Sequence, residues 1–452
     1  MKIRYPLALS AAIAAAGVAA AQPVQVQIQR VQVRPALVDP VPSLPATPTD
    51  KPEETKPAVA ADPNPKSLVV PEQELKQAKE LANQLGHPSY PVREKASREL
   101  AKMGRMALPA IQEALGSNEP EVVQRAEALL PRAEADDMKA RVACFLADVG
   151  GKFTHTLPGW DQFKLVAGND ASSRKLFAEM LKSSVTHQML LVVDKGLEEA
   201  NSVLSQYVTR VWEAQNGFAR RGGFGGGNGG QAKLGDLVAA LFVEGQFSDK
   251  DLMIQASIPF GWGNNGAQSA ANYVYNVPEV SNAMYTGSGE YGAPIRKIIL
   301  QWMDTRTTAA NANQAYQFAQ NMFANDPKKK LKYAARVLES EGGQNSGYNK
   351  QNVLQNLANQ PDLLRPLVPA IAKCFDDTHL LWNWQSGNPG FDIQLRDYAL
   401  AYAIQLTDQK PEDYGMSRTS GQGTGKAFGF NAFYFKDDTP PKNGPGGAVL
   451  VR

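Results

Sequence analysis

The chain has 452 residues, 43% hydrophobic and 20% charged, an ordinary globular balance with room for two or three domains that have cores of their own. Its 47 basic residues face 45 acidic ones, and two of the basic residues, Lys2 and Arg4, lie in an export-type leader, so the mature part is close to neutral. That balance argues against phosphate-driven binding of nucleic acid and gives no electrostatic reason to lie on an anionic membrane.

Residues 1–21 have the form of a signal peptide. Lys2 and Arg4 make a short positive start, an Ala-rich apolar run follows from Leu7, and small residues Ala19-Ala20-Ala21 precede Gln22-Pro23. The run is shorter than the roughly 20 residues of a comfortable membrane span, and no cysteine follows it to carry a lipid. The expected location is the periplasm or the cell exterior. Residues 22–71 carry a proline every few positions, Pro35 to Pro71 among them. Proline removes a backbone donor and restricts its predecessor, so this stretch is expected to be an extended disordered spacer.

Helical periodicity begins after Pro71, with Leu75, Ala78, Leu81, Ala82 and Leu85. The pattern Pro91-Val92-Arg93-x-x-Ala96-x-x-x-Leu100-x-x-x-Gly104 returns thirty residues later, Val92 matching Val122, Ala96 matching Ala126 and Leu100 matching Leu130. Between the copies, Leu108, Ile111 and Leu115 mark a second helix, with Gly104 and Gly116 as stops. Over residues 75–132 this resembles a short HEAT-like repeat. A second similarity covers residues 376–415, where Asp376-Asp377-Thr378, Arg396-Asp397-x-Ala399 and Lys410-Pro411-x-Asp413-Tyr414-Gly415 resemble the closing segment of secreted HEAT-like proteins abundant in planctomycete-type bacteria. The resemblance implies fold and export and carries no established activity.

Further along, Leu190, Val193, Leu197, Ala200, Leu204, Tyr207 and Val211 alternate in steps of three and four, the seam of a long helix that packs in a helical core or in a coiled-coil dimer. A glycine-rich loop is expected at 217–232. Helices are predicted at Leu234–Glu244, Pro294–Thr305, Gln314–Ala324, Pro327–Ser340, Lys350–Leu357, Leu363–Phe375 and Ile393–Thr407, with Asp326 as an N-cap before Pro327. The domain plan is therefore helical repeats with a long helix at 72–216, a helical domain at 233–410 and an irregular tail at 411–452. The fold class is all-α, an irregular HEAT-like α-solenoid of helix pairs.

Chemistry-bearing patterns are weak. Gly261–Gly266 and Gly287–Gly292 fit G-x-G-x-x-G; the second precedes a helix near Pro294, but Val280–Met284 before it makes a poor buried strand, and both read as irregular loops. Ser420–Ala427 departs from a phosphate loop at its first glycine and at the residue after Lys426. Arg220–Gly227 resembles an RGG segment, which export and neutral charge turn into a disordered loop. His87, His155, His187 and His379 have no metal-ligand spacing. Lys328–Lys332 reads as a solvated basic face. The two cysteines, Cys144 and Cys374, are one disulfide or two buried thiols. The one compact acid–histidine group is Asp376, Asp377 and His379, beside Trp382 and Trp384, from which a hydrolase or a sugar-stacking surface could be built. No catalytic, cofactor or metal residue is assigned. The expectation is a secreted, non-enzymatic binding or scaffold protein for a protein or envelope-polymer partner. The alternatives are an envelope hydrolase using Asp376, Asp377 and His379, and a purely structural envelope component.

Overall fold

A computed structural model describes residues 61–216, 232–255, 269–342, 346–384, 391–414, 416 and 427–428. The chain divides into two compact units, Met1–Ala58 and Val59–Arg452. The leader, most of the proline-rich spacer, the segment 217–231, Gly261–Gly266 and Ser420–Lys426 lie outside the described residues. The second unit is mainly α-helical, as its hydrophobic periodicity predicts, with a single two-stranded ribbon among the described residues.

Its first four helices are α1 (Glu72–Asn83), α2 (Tyr90–Met103), α3 (Leu108–Ala114) and α4 (Pro120–Ala147). Pro91 lies in the first turn of α2 and Pro120 in that of α4, where a missing N–H leaves nothing unpaired. α2 stops at Gly104, whose φ of +54° suits glycine and whose missing side chain leaves room for the Asp136 carboxylate. α1 packs on α2 and α3, and α4 packs on α2 and α3, so the helices lie in two rows, α1 with α3 and α2 with α4. Ala78, Ala96, Leu100, Ile111, Val122 and Ala126 fill the space between them. The two thirty-residue copies are also tied at their surface, where Arg125 of α4 reaches Glu94 of α2 at 2.8 Å and Glu121 at 2.7 Å. α4 does not stop at the end of the repeat: it runs through Pro131 and delivers Phe145, with Met138 and Val142 packed alongside, to a second, larger interior.

That larger interior extends from Phe145 to Phe428. Around it lie α5 (Trp160–Ala167), α6 (Ala171–Met180), α7 (Ser184–Val192), α8 (Leu197–Asn216) and α9 (Leu234–Glu244). The helix expected to run unbroken from Leu190 to Val211 is instead α7 and α8, parted at Gly196, whose φ is +113°. Leu190, Ala200, Leu204, Tyr207 and Val211 are still buried; the seam is satisfied within this chain's own core. α9 has no polar face: Leu237 to Val243 are completely buried, enclosed by α6, α7, α8 and the helix Gly292–Asp304. A helix apolar all round must sit inside.

The remaining helices are α10 (Pro278–Thr286), α11 (Gly292–Asp304), α12 (Ala309–Met322), α13 (Leu331–Glu339), α14 (Ser346–Leu357), α15 (Pro361–Leu364) and α16 (Val368–Ala372). A ribbon of β1 (Leu380–Trp384) and β2 (Phe391–Gln394) follows, then α17 (Leu395–Leu406). Neighbours in sequence pack in pairs, α10 with α11 and α12 with α13, and alternate helices also touch, α10 with α12 and α12 with α14. Pro366 and Pro369 break the helix expected at 363–375 into α15, a 3-10 turn and α16. Asp326 makes no capping bond; its carboxylate pairs with Lys329 at 3.0 Å, and Pro327–Lys330 form a 3-10 turn ahead of α13. No helix among the described residues is long and apolar enough to cross a membrane.

Candidate functional site

The Asp376–His379 turn joins α16 to β1 and is held from three sides. The backbone N–H of Arg396 donates to the Asp377 carbonyl and that of Leu395 to the His379 carbonyl, each at 3.0 Å, which anchors the turn to the start of α17. The Asp377 carboxylate accepts the His379 backbone N–H at 3.0 Å and, through its other oxygen, the Lys350 ammonium of α14 at 2.9 Å. Lys350 is almost fully buried and Asp377 partly so. A buried lysine is tolerated where an acid compensates it, so this acid is committed to Lys350. The His379 ring meets Tyr348 edge-on at 5.4 Å and lies directly against the backbone of Gly347, while its Nε2 is enclosed without a hydrogen-bond partner. Asp376 is exposed. The structure therefore brings Asp377 and His379 together through backbone and lysine contacts, with no hydrogen bond from the Asp377 carboxylate to the imidazole ring to orient it as a general base.

Next to the turn, Asp397 in the first turn of α17 is 2% exposed. Its Oδ2 accepts the Gln394 N–H at 2.8 Å and its Oδ1 has no partner. Burial pushes this carboxyl up to about 6, against the smaller opposing pull of the Gln394 N–H and Arg396. Cys374, also beside Lys350, is a free buried thiol whose Sγ faces the Leu338 carbonyl at 3.4 Å; burial pushes it up to about 11. Cys144 is likewise free and buried, so the two-thiol alternative holds. A thiol raised this far is a poor nucleophile.

Two polar clusters escaped the sequence reading, one because its acid and histidine have no motif spacing and its arginine lies 26 positions on, the other because its members are far apart in the chain. At the end of α4, Asp148 accepts the Lys152 and Phe153 N–H groups and bonds His155 Nε2 at 3.0 Å, with Arg174 of α6 at 3.6 Å. Burial raises the Asp148 carboxyl, but these backbone donors outweigh it and hold it below its ordinary value. The Arg174 guanidinium lies 3.9 Å from the centre of the Phe145 ring. In the larger interior, the Glu244 carboxylate receives Ser269 Oγ at 2.6 Å, the Ala270 N–H at 2.6 Å and Trp302 Nε1 at 2.8 Å. Arg306 donates to the Glu244 and Phe247 carbonyls, and Asp249 accepts from Thr307, Thr308 and Asn311. Both clusters are buried and join helices to loops, with Arg174 Nε in one and Asn311 Oδ1 in the other left without a hydrogen-bond partner.

The other sequence candidates are plain structure. Gly287 is the left-handed cap of α10 and Gly292 opens α11 against the Gly287 carbonyl, so Gly287–Gly292 is a tight turn between two helices. His87 Nδ1 accepts the Ser89 N–H at 3.0 Å. In the basic run, Lys329 pairs with Asp326, and Lys332 with Asp304 at 2.6 Å. An open depression of about 460 Å³ at the start of α9 is bordered by Glu179, Lys182, Lys233 and Asp236, but Lys182 is paired with Glu179 and Asp236 accepts the Thr186 hydroxyl at 2.6 Å. Among the described residues no group of three or more His, Cys, Asp and Glu side chains is placed to hold a metal. Comparison with protein-family models, with curated proteins and with solved structures found no significant match to this chain.

Proposed function

We propose that this chain is an exported, HEAT-like helical-repeat protein, an irregular α-solenoid that holds a protein or envelope-polymer partner and performs no chemistry of its own. The observation that carries the reading is the alternate-helix packing: α1 on α3 and α2 on α4, then α10 on α12 and α12 on α14. Contacts between every second helix are what stacked helix pairs make, and stacked pairs present extended surfaces whose usual work is holding a partner. The pattern is irregular because α9 is enclosed rather than stacked. Export rests on the leader at 1–21. The commitment of Asp377 to Lys350 counts against an envelope hydrolase built on Asp376, Asp377 and His379.

The test is crosslinking of the protein in intact cell envelopes, with the crosslinked material identified by mass spectrometry as protein or glycan. The expected result is one reproducible partner of either kind. Turnover of an isolated envelope glycan or peptide, lost in the variant Asp377→Asn, would replace the binding reading with the hydrolase. Absence of any partner would leave a structural component.

A further inference from the structure

From Leu252 to Ile295 the only charged residues are Glu279 and Glu290, and from Thr305 to Ala324 the only one is Arg306. One residue in five is charged over the whole chain, so these stretches are depleted several-fold. Glu290 is paired with Lys175 and Arg306 is buried. The two stretches meet where the 3-10 turn Ala270–Asn276 and α12 pack against α10. There two tyrosines stand half open side by side: Tyr275 is 47% and Tyr285 49% exposed, their ring centres 6.5 Å apart and their planes inclined by 43°. Tyr275 is held in place, its ring edge-on to Phe318 and its hydroxyl accepting from Asn321 Nδ2 at 3.1 Å. Exposed amides accompany them in the chain: Asn276 follows Tyr275, Asn282 stands one turn before Tyr285 on α10, and Gln317 one turn before Asn321 on α12.

We infer that this tyrosine–amide face binds a neutral polysaccharide. The inference rests on the binding reading above and names its ligand. Pyranose rings present apolar C–H faces that lie on aromatic rings, and vicinal hydroxyls that need a donor and an acceptor together, which a carboxamide supplies. Two ring faces fixed on short-range structure need little ordering on binding. Charge beside the face is sparse and of both signs, exposed Glu279 on α10 and half-buried Arg296, which donates to the Met284 and Met322 carbonyls, so no run of one sign is present for an ionic polymer. Among the described residues of the 3-10 turn, α10 and α12, the two tyrosines are the large apolar side chains exposed, without the surrounding aliphatic cluster that forms the centre of a protein interface.

The experiment titrates the mature full-length chain with soluble β-1,4-glucan, β-1,3-glucan, α-glucan and N-acetylglucosamine oligosaccharides by calorimetry, alongside the envelope crosslinking. At least one saccharide is expected to bind, with affinity changing less than about twofold between low and high salt because no ion pair is made. Tyr285→Ala is expected to weaken it about threefold to tenfold, as loss of a stacking ring does, with unchanged circular dichroism; Tyr285→Phe is expected to retain it. Failure of every saccharide to bind, or binding indifferent to Tyr285→Ala and Tyr275→Ala, would overturn the inference. A protein crosslinked through these tyrosines would also overturn it while leaving the binding reading standing, whereas an absence of any envelope partner would remove that reading itself.

Discussion

At Gly347 the α14 backbone lies so close to the His379 ring that a methyl group in place of the glycine hydrogen would overlap it. His379 is fixed in turn by the Leu395 N–H and by Tyr348. Gly347→Ala is therefore expected to destabilise the protein by about 1–3 kcal/mol, the usual range for overpacking. The double variant with His379→Ala should recover part of that loss, read as the urea midpoint. Asp397 gives a pH dependence whose sign can be worked out. Its folded value of about 6 lies above the ordinary carboxyl range, so the folded chain holds this proton more tightly than the unfolded chain. The resulting stabilisation is complete below about pH 4 and is lost as pH rises through about 6. Asp397→Asn keeps an acceptor for the Gln394 N–H and removes the titration. Its urea midpoint should consequently fall less between pH 4 and pH 7 than the wild-type midpoint; equal falls would show that Asp397 does not carry the effect.

Single elements differ in how far local sequence determines them. α9 was legible from end to end, because an uninterrupted apolar run with a glycine after it has few alternatives. Its Gly235 is also a packing requirement, since a side chain there would crowd the Glu179 carbonyl. The 30-residue repeat was legible because its small and branched residues recur at matched positions and are the ones that fill the space between α2 and α4. α10 was not legible: it is one turn short of a strong periodicity, and long-range packing on α11 and α12 decides it. The ribbon Leu380–Gln394 was hidden for the same reason, its strands being short and its register irregular between Leu380 and Trp382. The acid–histidine turn was visible as a sequence, but the lysine that neutralises Asp377 lies 27 positions upstream and no spacing rule announces it. The same holds for Glu244, which closes α9 by tying it to Ser269, Ala270 and Trp302. Glu244→Ala would strand three buried donors, and a loss of about 3–5 kcal/mol is expected from thermal or urea unfolding. Glu244→Gln should lose less, because its amide oxygen can still accept part of the set.

On the scale of the whole second unit, the decisive feature is that the apolar interior comes in two parts. The smaller is made by α1, α2, α3 and the first half of α4; the larger begins at Phe145, at the far end of that same helix. α4 is thus the element common to both, and the contacts that cross between them are concentrated on it and α6. Cooperativity follows shared burial, so a region with its own interior can open while the rest stays closed. Leu100 is fully buried in the smaller interior, and Leu100→Ala should cost about 2–5 kcal/mol there. In hydrogen exchange, the amides of α1, α2 and α3 are expected to lose protection in this variant, whereas those of α9 and α11 keep wild-type rates. The complementary change, Ile298→Ala in the larger interior, should speed exchange in α9 and α11 and, through α4, in the repeat block as well, because that block's own burial is too small to hold the shared helix alone. Equal loss of protection in both regions for Leu100→Ala would show instead that α4 couples the two interiors into one folding unit.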